Sequence, residues 1–312
     1  MNSPLVSIII PCHNASTYIK DAIDSCLNQS YINKEIIVID DGSTDASVDV
    51  IKTFGNRIRW ETGSNRGASS ARNRGLSICH GEIIQFLDAD DFLLPNKLAT
   101  QVPALQDSPN AVVFSDWLME LNDQKVIDIH LPWEQTEDPF YLLLNLKPAL
   151  MTAAPLHWRR NIERIGGWDA QLPCCQDLDF HLRLACENLR FLYVRGFSFH
   201  CRHVSTSISR SNYKRILQWQ GYVLFKIYHM LLSSGTLTLE RKELIAYTMA
   251  KSGRQLMAMR EYRSGRQRFV DAELMCSGGG IKRFGWKYWF LYNLLGPFLT
   301  ERLSQILYSR LK

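Results

Sequence analysis

The first part of the chain alternates between short, mostly β-branched runs and segments whose apolar residues recur every three or four positions. Residues 5–10 and 35–40 are near-continuous apolar runs, which is typical of strands buried on both faces of a sheet. Between them, the four-residue recurrence of apolar side chains predicts a helix over residues 14–27. The alternation continues with predicted helices over 44–54 and 66–79 and predicted strands over 58–61 and 82–87.

Strands that alternate with helices of this length predict βαβ units, and therefore an α/β fold with a mostly parallel sheet flanked by helices. Ligands of such sheets bind outside the carboxyl ends of the strands. Polar residues stand at three of these ends: His13 follows the first strand, Asp41 follows the second, and Asp88 begins an acidic run after the fourth. We therefore expect a binding site at the carboxyl edge of the sheet.

The rest of the chain has a mixed segment followed by a wholly helical one. The mixed segment contains a predicted helix over 176–187 and predicted strands over 111–116, 152–158 and 192–199. Beyond residue 211 the apolar spacing predicts only helices, over 213–232, 239–262, 266–275 and 286–312. The three glycines at 278–280 are predicted to form a hinge.

The composition is that of a folded protein, because 46% hydrophobic and 21% charged residues exclude general disorder. The net charge of +5 is distributed unevenly. Residues 202–312 carry 19 Lys and Arg against 6 Asp and Glu, whereas residues 1–201 carry 17 against 25. A basic second part fits either an anionic surface such as phospholipid or the solvated outer faces of helices.

Neither the cysteines nor the apolar runs indicate export or a membrane span. The eight cysteines show no CxxC spacing, which favours a reducing cytoplasm over a disulfide or zinc framework. The chain enters its first strand without a basic-then-apolar leader. No run reaches the roughly 18 apolar residues that a span requires. We expect a cytoplasmic protein that is either free or peripheral at the inner face of the cytoplasmic membrane.

The acidic run Asp88-Ala89-Asp90-Asp91 points to a bound cation. Three carboxylates within four residues repel one another, and a purely structural turn gains nothing from them. Hard divalent ions such as Mn²⁺ and Mg²⁺ take carboxylate oxygens and also bridge diphosphates. Asp91 also fits a structural role as a cap of the next segment. The run therefore predicts a site for a divalent ion and a diphosphate.

Three further positions carry groups that could bind a ligand. Asp41, in the turn 40–45, can accept hydrogen bonds from a base or ribose, while Thr44 can cap the next helix. Arg72 lies near the start of an arginine-rich helix, which suits phosphate, although the spacing of a P-loop is missing. Asp177 begins another helix, where an acid serves either as a cap or as a base.

Six motifs follow one another between about residues 5 and 205: PCHN, IDDGSTD, NRGASSARNRG, FLDADD, GGWD and QDLDFHLRL. In this order they resemble glycosyltransferase family 2, inverting enzymes of the Rossmann-like GT-A fold. The resemblance implies that Asp88 contacts the ribose, that Asp90 binds the Mn²⁺ or Mg²⁺ ion holding the diphosphate, and that Asp177 is the general base. The other positions implied to bind the donor or lie near the metal are Pro11, His13, Asp41, Arg72 and His203.

Two positions depart from the pattern of the family. His13 stands where an aromatic residue, often Tyr, is usual, so stacking on the base differs. Gln176 stands where Glu is commonest, directly before the implied base, which alters the local electrostatics and leaves Asp177 in place. His200 is close to His203 in sequence, and either can be a satisfied structural histidine.

The expected reaction is transfer of a sugar from a nucleoside diphosphate, expected to be UDP, to an acceptor hydroxyl with inversion. It needs a base on the acceptor side and charge neutralisation on the leaving diphosphate. The expected acceptor is a glycan or lipid-linked intermediate of surface polysaccharide. One alternative is an inactive GT-A protein that senses sugar nucleotides or serves as an assembly subunit. A Rossmann dehydrogenase is disfavoured because no GxGxxG follows the first strand.

We predict a GT-A catalytic domain over residues 1–205 and a helical C-terminal region over residues 206–312. The second region mixes Lys282, Arg283 and Lys287 with large aromatic side chains. That mixture fits an interfacial segment on anionic headgroups and equally fits helices packed on the catalytic domain. Nucleic-acid binding is disfavoured because no recognised module accompanies the charge.

Overall fold

The computed structural model describes residues 3–120, 126–130, 138–145, 150–202 and 212–309. The chain divides into two compact units. The first comprises Met1–Pro139 and Leu146–Ser207, and the second comprises Phe140–Asn145 and Ile208–Lys312. In the part that the structure describes, the first unit contains all of the strands and the second contains only helices.

The predicted β-branched runs form the parallel part of a sheet in the first unit. Strand β1 (Val6–Cys12) pairs in parallel with β2 (Lys34–Asp40) and with β4 (Ile83–Phe86). Strand β3 (Arg59–Thr62) pairs in parallel with β2. Every residue of β1 is buried, as expected for a central strand covered on both faces. The α/β class predicted from the alternation is confirmed.

The sheet continues beyond β4 with strands of mixed direction. Strand β8 (Leu156–Trp158) lies antiparallel between β4 and β6 (Ala111–Glu120), and β6 runs parallel to β9 (Arg190–Cys201). The last strands are β5 (Phe92–Leu93), antiparallel to β9, and β7 (Val126–Ile129), antiparallel to β6. The strand order is β3-β2-β1-β4-β8-β6-β9-β5, with β7 on β6. The sheet is therefore parallel where the sequence alternates regularly and mixed where it does not.

The helices of the first unit connect these strands. They are α1 (Ile19–Leu27), α2 (Ser47–Lys52), α3 (Ala68–Ile78), α4 (Lys97–Gln106), α6 (Arg159–Arg164) and α7 (Gln176–Cys186), with a single 3-10 turn at Gly55–Arg57. Helix α5 (Pro139–Asn145) lies almost wholly in the second unit.

Helix α1 begins later than the sequence predicts. Asn14 has a φ of 49°, in the left-handed region, so the chain turns there instead of entering a helix. Its side-chain oxygen accepts a hydrogen bond from the backbone N–H of Thr44 at 2.7 Å, and its own N–H donates to Ser43 Oγ at 2.9 Å. Asn14 therefore does not begin or cap helix α1, because Tyr18 precedes the first helical residue. Asn14 instead joins the ends of β1 and β2.

The second unit consists of packed helices. Besides α5 they are α8 (Tyr213–Ser233), α9 (Leu239–Ala258), α10 (Tyr262–Met275), α11 (Gly279–Lys282) and α12 (Trp286–Ser309). The hinge predicted at 278–280 is wrong for Gly279 and Gly280, which begin α11. A Cβ on Gly280 would lie 2.6 Å from the backbone of Ala246, so the glycine permits close packing on α9. None of the helices that the structure describes could span a lipid bilayer.

Candidate active site

The turn after β2 has its carboxylates held by hydrogen bonds. The two oxygens of Asp41 accept from the backbone N–H groups of Arg66 and Gly67 at 2.8 and 2.7 Å. Asp40 accepts from the Thr62 hydroxyl at 2.6 Å. Both aspartates are buried, and buried charges are tolerated when they are paired or hydrogen-bonded in this way. This turn therefore fixes the start of α3 against the end of β2.

His13 lies exposed beside this turn, and its ring orientation is determined by two neighbours. Its Nδ1 donates to the backbone oxygen of Asp41 at 3.0 Å, so Nε2 is free to accept from Asn65 Nδ2 at 3.1 Å. This assignment follows from the hydrogen-bond network, since the oxygen can only accept. Pro11 lies in β1 opposite Ile39 and is buried. The predicted donor-binding residues of β1 and β2 therefore stand together at one edge of the sheet.

The turn after β4 has a different electrostatic environment. Burial and the neighbouring Asp88 carboxylate raise the pKa of Asp90 to about 6. Burial, Asp90 and Asp88 raise the pKa of Asp91 well above its usual range. Asp91 accepts from the backbone N–H of Arg202 at 2.9 Å, so it anchors the end of β9 and does not cap a helix. The negative charge of this turn exceeds its local compensation, which favours a cation.

Arg72 connects this acidic turn to the start of α7. Its guanidinium donates to Asp88 Oδ1 at 2.6 Å and to Gln176 Oε1 at 3.4 Å. It also lies over the Trp168 ring, 4.4 Å from the centroid. Arg72 is buried, and its Nε has no acceptor within the described residues. The predicted donor-binding residues Arg72 and Asp88 are therefore in direct contact.

Trp168 belongs to the GGWD motif, and the sequence alone does not assign it to the site. Its backbone N–H donates to Asn73 Oδ1, and its backbone oxygen accepts from Asn73 Nδ2, both at 2.8 Å. Gly167 has a φ of 73°, and a Cβ there would lie 2.6 Å from Asn73 Oδ1. Both residues stand in motifs that the sequence shows, Trp168 in GGWD and Asn73 in ARNRG, so the motifs are the signal that could have found this contact. The two hydrogen bonds fix the ring against which Arg72 packs.

Asp177 lies in the first turn of α7, where its carboxyl oxygen accepts from the Thr152 hydroxyl at 2.6 Å. Burial raises the pKa of Asp177, although Arg72 and the Thr152 hydrogen bond act in the opposite direction. A carboxylate whose pKa is raised toward the working pH is a better general base. Thr152 has no motif around it, and for this reason sequence reasoning missed it.

Asp88 and Asp90 have the chemistry required for a divalent ion. No three His, Cys, Asp or Glu side chains among the described residues form a ready-made metal cluster. Mg²⁺ and similar ions usually take only one or two carboxylates and complete their shell with substrate phosphates and water. The excess charge at Asp90 and Asp91 fits that mode. These residues therefore fit the predicted Mn²⁺ or Mg²⁺ ion, which would hold a diphosphate there.

The family resemblance places His203 near the metal, and His200 is its neighbour in sequence. His203 lies outside the described residues, so its role stays a prediction. His200 packs on the Phe92 ring with centroids 4.6 Å apart, and its Nε2 lies 3.8 Å from Glu120 Oε2. Burial lowers its pKa. Its buried Nε2 has no hydrogen-bond partner among the described residues, and its contact with Glu120 is an ion pair only when His200 is protonated.

Comparisons with known proteins show which family and which relatives this chain resembles. A profile described as Glycosyl transferase family 2 matches residues 7–153, a stretch that ends one residue after Thr152. Residues 7–153 of this chain therefore carry the sequence pattern of glycosyltransferase family 2. An uncharacterized glycosyltransferase of Haemophilus influenzae is 48% identical over 106 residues, which is 33% of this chain and 42% of that protein. One of Rickettsia felis is 32% identical over 232 residues, covering 70% of this chain and 38% of its own. The matches therefore span about two fifths of these relatives.

Solved structures of similar fold include two with sugar nucleotides. S. aureus TarS 1-349 in complex with UDP-GlcNAc has a TM-score of 0.56 at 16% identity, covering 89% of this chain and 91% of that one. The Pyrobaculum calidifontis mannosyltransferase PcManGT, in complex with GDP-Man and Mn²⁺, has a TM-score of 0.55 at 18% identity, covering 91% and 88%. At these identities the similarity establishes the fold alone. The predicted GT-A fold is confirmed, while the roles of the individual site residues stay predictions.

Proposed function

We propose that this protein is an inverting family 2 glycosyltransferase that moves a sugar from a nucleoside diphosphate to an acceptor hydroxyl. The observation that carries the proposal is the pair of contacts made by Arg72. One joins it to Asp88 in the acidic turn, and the other joins it to Gln176, the neighbour of Asp177. The group suited to the leaving diphosphate and the group suited to the acceptor are thus linked through one buried side chain.

The donor roles follow from the chemistry of each position. Pro11, His13 and Asp41 would line the nucleoside pocket, with Asp88 at the ribose. Asp90 would hold Mn²⁺ or Mg²⁺, which supplies Lewis-acid neutralisation of the leaving diphosphate when bound. UDP is the proposed nucleotide, and the UDP-GlcNAc complex of TarS supports it. GDP is the nucleotide to test beside it, because PcManGT is in complex with GDP-Man.

Asp177 is the proposed base. In an inverting transfer the acceptor oxygen attacks the anomeric carbon as the bond to the diphosphate breaks, and the acceptor proton passes to the base. A carboxylate with a raised pKa can take that proton near neutral pH. Thr152 would hold its orientation. The proposed acceptor is a glycan or lipid-linked intermediate in the synthesis of surface polysaccharide.

The two units are proposed to have different roles. The first would contain the whole donor site, as in the predicted catalytic domain over residues 1–205. The second, helical and basic, would either contact an anionic membrane surface at the cytoplasmic face or serve only as a packing unit. Binding of the full chain to vesicles of phosphatidylglycerol, compared with neutral phosphatidylcholine, distinguishes these two roles.

The test of the proposed function is a screen for release of the nucleoside diphosphate. UDP- and GDP-sugars are incubated with the protein in Mn²⁺ and, separately, in EDTA. We expect one UDP-sugar to be hydrolysed slowly in Mn²⁺, and EDTA to abolish the reaction. Full activity in EDTA would contradict the role of Asp90. Tight binding of a UDP-sugar without turnover, after trial of several glycan and lipid-linked acceptors, would favour the sensor over the enzyme.

A further inference from the structure

Several polar side chains are buried between α4 and the sheet, where apolar residues are the norm. Lys97 is only 2% exposed, and Gln85, Gln101 and Ser115 are buried with it. Burial lowers the pKa of Lys97 well below its usual range. A buried amine contributes poorly to stability, since removing its head group from water is costly. The presence of this cluster therefore calls for another explanation.

The donors of this cluster converge on two consecutive backbone carbonyls. Lys97 Nζ donates to Ala154 O at 2.9 Å and to Gln101 Oε1 at 2.7 Å. Gln101 Nε2 also donates to Ala154 O, at 3.2 Å. From β4, Gln85 Nε2 donates to Ala153 O at 3.0 Å. Three side-chain donors from two different elements thus hold one short stretch of backbone.

That stretch needs such support because it precedes the sheet. Strand β8 begins at Leu156, so no ladder hydrogen bonds fix the backbone before it. The local bond is a turn from Ala154 N–H to Met151 O at 3.1 Å. Buried carbonyls that lack a sheet partner must find donors elsewhere. Here the donors are the side chains of Lys97, Gln101 and Gln85.

The supported stretch also carries Thr152, two residues before Ala154. The Thr152 hydroxyl donates to Asp177 Oδ1 at 2.6 Å. A chain of direct contacts therefore runs from Lys97 to Ala154, through two peptide units to Thr152, and on to the proposed base. Moving the Ala154 carbonyl would move the hydroxyl that orients Asp177.

We infer that Lys97 is a positioning residue for Asp177, acting with Gln101 and Gln85 through the backbone of residues 152–154. The inference rests on the proposed function of Asp177 as the base. Catalytic groups must be held to within a fraction of an ångström, and rigid support by surrounding residues supplies that precision. A methionine would fill the space of Lys97 without burying an amine, but it could not hold the carbonyl.

The test compares Lys97→Met with a matched control, Gln29→Leu. Gln29 is another buried side chain that makes hydrogen bonds to backbone near the start of α4. It accepts from Leu98 N–H and donates to Leu94 O at 2.7 Å. None of its bonds involves residues 151–154. Lys97→Met is expected to fold, because methionine fills a similar volume and Ala154 O keeps the donor Gln101 Nε2. If this variant fails to fold, Gln85→Leu removes the donor to Ala153 independently.

The first measurement is steady-state turnover of UDP-GlcNAc, or of whichever sugar nucleotide the wild type consumes, with Mn²⁺. We expect Lys97→Met to lower kcat by about 10- to 100-fold, the effect of a small displacement of a catalytic group. The donor KM is expected to stay within about twofold, and Gln29→Leu to leave kcat unchanged. In the background of Thr152→Val, Lys97→Met is expected to cause no further loss. Fully additive losses would overturn the inference, because Lys97 would then act by another route.

The second measurement does not require activity. Hydrogen exchange of the peptide covering residues 150–158 is compared in the wild type and the variants. Faster exchange in Lys97→Met, but not in Gln29→Leu, is expected if Lys97 holds this backbone. Unchanged exchange in Lys97→Met would overturn the inference. If the wild type consumed no sugar nucleotide while exchange responded as expected, the proposed function would fail and the support of Thr152 by Lys97 would stand.

Discussion

Two acidic turns lie at the same edge of the sheet, and they differ in how their charge is compensated. After β2, Asp40 and Asp41 accept hydrogen bonds from a hydroxyl and two backbone N–H groups. After β4, burial and the neighbouring carboxylate raise the pKa of Asp90 to about 6, although Asp88 is paired with Arg72. The first turn is complete as it stands, and the second fits an added cation.

This difference shows what an acidic run in a sequence leaves open. The motifs IDDGSTD and FLDADD are both rich in Asp and both follow buried strands. The donors that satisfy the first come from Thr62 and from residues 66–67, at the ends of other elements. Compensated carboxylates fix backbone, whereas uncompensated ones favour metal ions or protons.

The largest effect is expected at Asp177, whose pKa is raised by burial and by the Asp88 carboxylate of the second turn. Asp177→Asn keeps the shape of the side chain and removes the proposed base. We expect kcat for sugar transfer to fall by about 100- to 10,000-fold, the usual contribution of a general base. Release of UDP measures the turnover, and calorimetric UDP binding serves as the control, since it should not change. Equal turnover in the two proteins would rule out Asp177 as the base.

The next effect is expected at Asp90, where the contrast predicts lost metal binding without lost stability. Asp90→Asn is expected to weaken Mn²⁺ binding in the presence of UDP and to lower turnover by about 100-fold or more, as expected for loss of Lewis-acid assistance. The free energy of unfolding without metal should stay the same or rise, because one crowded carboxylate is removed. Calorimetric titration and urea unfolding measure the two quantities.

A clear drop in the metal-free stability of Asp90→Asn would contradict the contrast. It would mean that the second turn is a structural turn like the first. Unchanged Mn²⁺ affinity together with unchanged turnover would instead place the metal away from Asp90.

The opposite pattern is expected at Asp41. Asp41→Ala would leave the N–H groups of Arg66 and Gly67 without the buried carboxylate that accepts from them. We expect a loss of about 1–3 kcal/mol in the free energy of unfolding, because hydrogen bonds to a charged carboxylate are removed. Asp49→Ala is a matched control, because its ion pair with Lys52 is exposed and contributes little. Wild-type stability of Asp41→Ala in urea would show that the first turn is not held by its carboxylates.

The sequence predicts the regular part of this molecule well. Strands β1, β2 and β4 lie within two residues of their predicted positions, because continuous β-branched runs favour buried strands. Asp88, Asp90 and Asp177 could be selected because each directly follows a strand or begins a helix, next to a recognisable motif. These signals are local, because each of them lies within one short segment of the sequence.

The parts that escaped prediction depend on distant partners. Helix α4 buries Lys97 and Gln101 and contains Pro103, so its apolar pattern is broken by features that normally indicate a loop. The Thr152 hydroxyl and the backbone N–H of Arg202 matter only because folding places them against Asp177 and Asp91. No spacing in the sequence encodes those contacts, since the paired residues are 25 and 111 positions apart.

The smallest effect is expected in the pH dependence of Thr152→Val. The Thr152 hydroxyl donates to the Asp177 carboxylate, which favours the charged form and lowers its pKa. Loss of that bond raises the pKa further, so Asp177 becomes protonated, and therefore inactive as a base, at a higher pH. Besides a lower plateau of kcat, we expect the acid limb of the pH–rate profile to move upward by up to about one pH unit. Thr152→Ser keeps the hydroxyl and should keep the wild-type limb. An acid limb that stayed in place in Thr152→Val would show that the group titrating in catalysis is not the one that Thr152 contacts.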